Sequence, residues 1–205
     1  AVEKLARLPH CFLCYRPPDG APPSRPPRGD AGAPIVFASF NAVMKVGAEV
    51  IALWARVLKS VPGSQLVLKA SGFDHPRVRA LIERRFGREG VSAERLRLLG
   101  TTSNHAEHLR LYEQVDIALD PFPYNGGATT CDSLWMGVPV LTLAGDFGFS
   151  RTAASLLMAA GLAEFVSASP SEYRQCAIEL ATAPARLAGL RAEMRNRLKN
   201  SVLMD

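Results

Sequence analysis

Residues 124–137 read Tyr-Asn-Gly-Gly-Ala-Thr-Thr-Cys-Asp-Ser-Leu-Trp-Met-Gly: two glycines, a small residue and two threonines ahead of an amphipathic run. Glycine tolerates positive φ and lets a backbone approach a ligand closely. Gly126 and Gly127 therefore lead into a helix whose first turn is Ala128, Thr129 and Thr130. Open N–H groups and the positive end of the dipole suit a phosphate there, and the threonine hydroxyls add donors. Asp132, a few residues in, is placed to accept from a ribose hydroxyl. The stretch is neither G-x-G-x-x-G nor a Walker loop, which ends in Gly-Lys-Ser/Thr. Its plain alternative is a capped strand-to-helix turn.

Three other clusters carry chemistry. Lys45 follows an apolar run and precedes a helical pattern, where a lysine can reach a phosphate as a flexible point charge; otherwise it is a solvated lysine at a helix entrance. In Thr-Thr-Ser-Asn-His-Ala-Glu-His (101–108), Ser103 or Asn104 can cap a helix. His105 and His108 then share one helical face. They could hold a metal, but the sequence offers no evident third ligand. One ring could instead lie on a nucleobase, or both could be surface histidines. Ser150 is expected to cap a later helix, with Arg151 in its first turn, either pointing away or facing an anion. Cys11 and Cys14 have zinc or redox spacing. No second ligand pair follows, so these two, Cys131 and Cys176 are expected to be buried, inert thiols.

These residues need elements to position them. Residues 16–34 hold seven of the fifteen prolines, which makes an extended connector after a short N-terminal piece, 1–15. From residue 35 onward, short apolar runs alternate with helical patterns. Strands are expected at 35–40, 65–70, 96–100, 116–120 and 138–144, with a weak sixth at 163–167. Helices are expected at 48–61, 76–90, 105–115, 128–136, 151–161, 170–182 and 184–199. Strands alternating with helices predict a doubly wound, mostly parallel α/β sheet, a Rossmann-like domain over 35–205. Ligands of such sheets bind beyond the carboxyl ends of the strands, which is where the clusters above fall.

The net charge of +5 is spread along the chain, without the basic stripe and interleaved aromatics that nucleic acid requires. The sign suits an anionic small ligand. No apolar run approaches the roughly 18 residues of a membrane span, and the N-terminus lacks the apolar centre of a signal peptide. The expectation is a soluble, cytoplasmic protein without membrane or nucleic-acid partners.

In combination, the motifs "FASFN…K", "LWARVLKSVPGSQLVLK", "HAEHLRLYEQVDIALDPFPYNGGATTCDSLWMGVPVLTLAGDFGFSRTAASLL" and "SEYRQCAIELA" strongly resemble the O-linked N-acetylglucosamine transferases, above all their bacterial members with tetratricopeptide repeats. The resemblance implies the C-terminal, nucleotide-sugar-binding lobe of a GT-B glycosyltransferase. Lys45 matches the lysine that neutralises the departing diphosphate. His108 matches the histidine packed on uridine, and Thr102, Ser103 and His105 lie in the loop that reads uracil. Gly127, Ala128 and Thr129 match the helix start on the diphosphate, flanked by Gly126 and Thr130. Asp132 matches the aspartate on the ribose, and Asn41 belongs to the motif that carries Lys45.

This sequence has Ala42 where some members have glutamine and Ala128 where threonine is usual. His105 stands in place of the lysine of animal members, and Gly127 in place of a histidine. N-acetylglucosamine and glucose both remain open as the donor sugar, since some relatives glucosylate asparagine.

The implied reaction moves N-acetylglucosamine from UDP-N-acetylglucosamine to serine or threonine with inversion. No D-x-D pair is evident, so no metal cofactor is expected. Lys45 and the helix N-terminus would stabilise the leaving group, at roughly 3–4 kcal/mol per well-placed donor. The implied partners are the UDP-sugar, an acceptor protein or peptide, an upstream N-terminal catalytic lobe and tetratricopeptide repeats. The lobe by itself is expected to be inactive in transfer. A non-catalytic nucleotide-sugar-binding module is the second reading. An NAD-linked oxidoreductase is the third; it lacks G-x-G-x-x-G after the first strand and an acidic residue ending the second.

Overall fold

The computed structural model describes residues 4, 8–24 and 33–204. The expected N-terminal piece and proline-rich connector therefore lie partly outside the described residues.

Among the described residues, six strands form the sheet: β1 (Val36–Ser39), β2 (Gln65–Lys69), β3 (Leu96–Leu99), β4 (Ile117–Leu119), β5 (Val140–Leu143) and β6 (Val166–Ser167). Their order is β3-β2-β1-β4-β5-β6 and every pairing is parallel. This is the doubly wound order expected from the alternation of strands and helices. Parallel strands covered on both faces must be apolar throughout, and Phe37, Leu66, Ile117 and Leu141 are fully buried.

The helices are α1 (Ala48–Ser60), α2 (Pro76–Arg88), α3 (His105–Arg110), α4 (Ala128–Trp135), α5 (Thr152–Ala159), α6 (Pro170–Ala181) and α7 (Pro184–Lys199). Each has a local cause. In α1, Val50, Ile51, Trp54, Val57 and Leu58 recur on the buried face. The helices α2, α6 and α7 open on proline, whose missing N–H costs nothing in a first turn. Asn104 accepts from the Glu107 N–H to cap α3, and Ser169 accepts from the Glu172 N–H to cap α6.

Three expectations change in detail. The helix expected over 105–115 ends at Arg110 and tightens into a 3-10 turn, Leu111–Gln114, which buries Tyr112. The sixth strand shrinks to Val166–Ser167, because Ala163–Phe165 form a 3-10 turn that drops Phe165 into the core. Ser150 does not cap α5. It closes its own turn by accepting from the Phe147 N–H and donating to the Phe147 carbonyl, and exposed Arg151 takes the cap position without a side-chain hydrogen bond.

The core runs up to the functional edge. Trp54 on α1 donates to the Tyr173 hydroxyl on α6, and Tyr173 in turn donates to the carbonyl of Asp120, just past β4. The described part of the N-terminal segment packs on the domain through buried Tyr15, whose N–H bonds the Leu203 carbonyl. Arg195 of α7 donates to the Pro22 carbonyl. Among the described residues, no helix is long and apolar enough to cross a membrane.

Candidate functional site

The strand order reverses between β1 and β4, and a crevice opens beyond their carboxyl ends. Ser39, Asn41, Tyr112, Asp120, Thr129 and Thr130 line it. Three loops that lie far apart in sequence converge there, and each brings residues singled out above.

After β1, a 3-10 turn over Val43–Lys45 swings Lys45 across the crevice mouth. Its Nζ donates to the Asn125 carbonyl at 2.8 Å and to Asn41 Oδ1 at 3.4 Å, and lies 4.4 Å from the centroid of the Tyr124 ring. Burial pulls the Lys45 pKa below the usual lysine range, and the nearby Asp120 opposes that shift. Asn41 is buried and accepts from the Thr129 hydroxyl at 3.2 Å. One side chain thus couples the first loop to the start of α4.

After β4, Asp120 organises the glycine loop. Its two oxygens accept from the Gly126 N–H and the Thr142 hydroxyl, each at 2.7 Å. Burial pushes the Asp120 carboxyl up to about 7, against those two hydrogen bonds and Lys45. Gly126 has no room for a side chain: a Cβ would sit 2.8 Å from the hydroxyls of Thr129 and Thr130 and 2.9 Å from Asp120 Oδ1. Its N–H is spent on Asp120, so the loop can offer a ligand only the groups that follow. Those begin at Gly127, the cap of α4, and Ala128, which is exposed.

After β3, α3 carries His105 and His108 over the crevice. His108 rests among Phe40, Tyr112 and His105, with ring centroids 5.5, 5.7 and 5.6 Å away. Burial, with smaller help from Lys69 and His105, holds its imidazole down to about 4, so it is neutral at pH 7. His105 Nε2 lies 3.3 Å from Asp132 Oδ2, and the Tyr15 hydroxyl donates to Asp132 Oδ1 at 2.9 Å. Ser103 is used locally, its hydroxyl donating to Glu107. Thr102 is half-buried on the approach to α3.

The structure therefore draws Asn41, Lys45, His105, His108, Thr129 and Asp132 together through contacts at the carboxyl edge of the sheet, although they span just over ninety positions of sequence. It also supplies what sequence reading missed. Asp132 is the third candidate ligand beside the two histidines, with donor atoms of all three within 4.8 Å of one another. Asp120 escaped notice, though an acidic residue ending an apolar strand was the available signal. Tyr15 carried no local signal. All four cysteines are free, and burial raises the thiols of Cys131 and Cys176. Cys131 is buried as expected, but Cys11 and Cys176 are only half-buried and Cys14 is exposed.

The probable UDP-N-acetylglucosamine–peptide N-acetylglucosaminyltransferase SPINDLY of Arabidopsis thaliana is 38% identical over 200 residues, covering 98% of this chain and 22% of the relative. The UDP-N-acetylglucosamine–peptide N-acetylglucosaminyltransferase of Caenorhabditis elegans is 32% identical over 174 residues, covering 83% of this chain and 14% of that protein. This chain thus spans between about a seventh and a fifth of these curated relatives' length. Among solved structures, a mutant of the Thermobaculum terrenum O-GlcNAc transferase superposes with a TM-score of 0.88 at 35% identity, over 98% of this chain and 38% of that one. Anabaena HepE in complex with UDP and glucose shares the fold alone, at a TM-score of 0.59 and 15% identity. The model of glycosyl transferase family 41 matches residues 24–205, and this chain belongs to that family.

Proposed function

We propose that this chain is the UDP-sugar-binding lobe of an inverting, metal-independent protein O-glycosyltransferase that moves N-acetylglucosamine from UDP-N-acetylglucosamine to serine or threonine. The observation that carries the reading is the convergence of Lys45 and the N-terminus of α4 on one crevice at the sheet's switch point. A diphosphate placed there meets a lysine ammonium, the Thr129 hydroxyl and open helix N–H groups. The uracil would lie against neutral His108 beside Thr102, Ser103 and His105, and the ribose hydroxyls would approach Asp132. Lys45 already lies beside the Tyr124 ring and a carbonyl, poised to exchange weak partners for a strong anion.

In this reading the departing UDP gains its charge stabilisation from fixed donors. The acceptor is positioned by a second lobe outside this chain, an upstream N-terminal catalytic lobe associated with tetratricopeptide repeats. In-line positioning of that kind lowers a barrier by roughly 7–11 kcal/mol. The lobe by itself then binds nucleotide without transferring sugar, and the full protein works in the cytoplasm.

Calorimetry with UDP, GDP, UDP-N-acetylglucosamine and UDP-glucose, followed by transfer of labelled sugar to a peptide panel by the full-length protein, tests this. Binding of UDP in preference to GDP, and transfer from UDP-N-acetylglucosamine, support it. No binding of UDP at millimolar concentration, or transfer from another donor alone, overturns it.

A further inference from the structure

We propose that His105, His108 and Asp132 form a binding site for one divalent transition-metal ion of the zinc class, and that this ion and the nucleoside exclude each other. His105 and His108 sit three residues apart on one face of α3, and Asp132 reaches the same point from α4. A ring nitrogen of each histidine and a carboxylate oxygen of Asp132 lie within 4.8 Å of one another. Tetrahedral zinc, with bonds to nitrogen and oxygen of about 2.0–2.1 Å, holds its ligand atoms about 3.3–3.4 Å apart. His105 Nε2 and Asp132 Oδ2 already stand at 3.3 Å. The remaining contraction, from no more than 4.8 Å, falls on the distances to His108.

The surroundings are those of a supported site. Tyr15 fixes the other oxygen of Asp132, as outer partners orient a metal-binding carboxylate. Phe40 and Tyr112 fix the His108 ring. His108 Nδ1 is buried with no hydrogen-bond partner, so this imidazole has donor capacity that the protein leaves unused. Two imidazoles and one carboxylate suit zinc, cobalt or nickel; magnesium and calcium prefer oxygen ligands throughout. Three protein ligands leave a fourth position for water. The exclusion clause rests on the proposed function, because the same three side chains are those assigned there to uracil and ribose.

Zinc titrated into the chain by calorimetry, with cobalt as a spectroscopic substitute, tests the site. One ion per chain is expected, with affinity reduced at least about tenfold in His105→Ala and in Asp132→Asn. Circular dichroism checks that both variants fold. A double Cys11→Ser, Cys14→Ser variant should bind zinc as the parent does. Unchanged affinity in His105→Ala and Asp132→Asn, or loss of binding in the cysteine variant, overturns the site. Uridine, which lacks phosphates to chelate the ion, tests the exclusion: saturating uridine should raise the apparent zinc Kd, and an unchanged Kd overturns that clause. Failure of the nucleotide reading would show separately, as no binding of uridine or UDP to zinc-free protein, with the zinc titration still deciding the site.

Discussion

The Tyr15 hydroxyl donates to Oδ1 of Asp132 at 2.9 Å, bridging 117 positions of sequence. The N-terminal segment is thereby tied to the side chain at the centre of the candidate site. Burial and the neighbouring carboxylate both push the Tyr15 hydroxyl above the usual tyrosine range, so it stays a donor at any working pH. Tyr15→Phe keeps the ring against Trp135 and removes only the donor. A hydrogen bond to a charged group is worth about 1.5–3 kcal/mol. Urea denaturation should register a loss in that range, and an unchanged midpoint would show that the bond contributes nothing net.

Lys45→Ala should weaken UDP while barely touching uridine. The ammonium lies against the Asn125 carbonyl in the loop that leads into α4, whereas the proposed uracil and ribose contacts are His105, His108 and Asp132. A charged donor to phosphate is worth about 1.5–3 kcal/mol, which is roughly 10- to 150-fold in Kd. Parallel calorimetry with the two ligands checks it, and equal losses for both would remove the diphosphate role.

Asp132→Asn should cost UDP more affinity than 2′,3′-dideoxy-UDP. The carboxylate already accepts from Tyr15 and lies beside His105, so a ribose hydroxyl would compete chiefly for the longer of those contacts. Equal losses for both nucleotides would make the residue purely structural.

Gly126→Ala should disrupt the loop. The added methyl would press on two threonine hydroxyls and on Asp120, all closer than 3.0 Å. Overpacking of this kind costs about 1–3 kcal/mol, to be read from thermal unfolding. Gly127→Ala, whose nearest neighbour would be 3.8 Å away, should be tolerated better.

Two groups should tilt the pH dependence of stability in opposite senses. Asp120 is raised to about 7 by burial, against about 3.9 in an unfolded chain. Between those values the native state binds more protons, so this group removes stability as pH rises. His108 is lowered to about 4, chiefly by burial, against about 6.5 unfolded. Between those values the unfolded state binds more protons, so its contribution is present above pH 6.5 and lost as pH falls toward 4. Urea midpoints taken from pH 4 to 7 in chelating buffer should rise more steeply in Asp120→Asn and less steeply in His108→Gln.

Much of this was legible in the sequence because it is local. The apolar runs expected as strands at 35–40, 65–70 and 138–144 are buried strands within those bounds, and Pro76, Pro170 and Pro184 mark helix starts by a rule that acts within one residue. Gly126 stood out for the same local reason, as a residue without a Cβ, and the structure packs it tightly on Thr129, Thr130 and Asp120. The alternation of strands and helices gave the parallel sheet, and the resemblance supplied the residues worth watching.

What only the tertiary structure decided are distances between residues far apart in the chain. Nothing near His105 shows that Asp132 stands 3.3 Å away, or that Tyr15 holds that carboxylate from the other side. Nothing near Gly126 shows that its N–H turns inward to Asp120 and is lost to a ligand. The strand order places β4 beside β1 and so brings Lys45 to the carbonyl of Asn125. That order follows from how the whole set of apolar faces can be buried at once, a property of the assembled sheet and of no single segment.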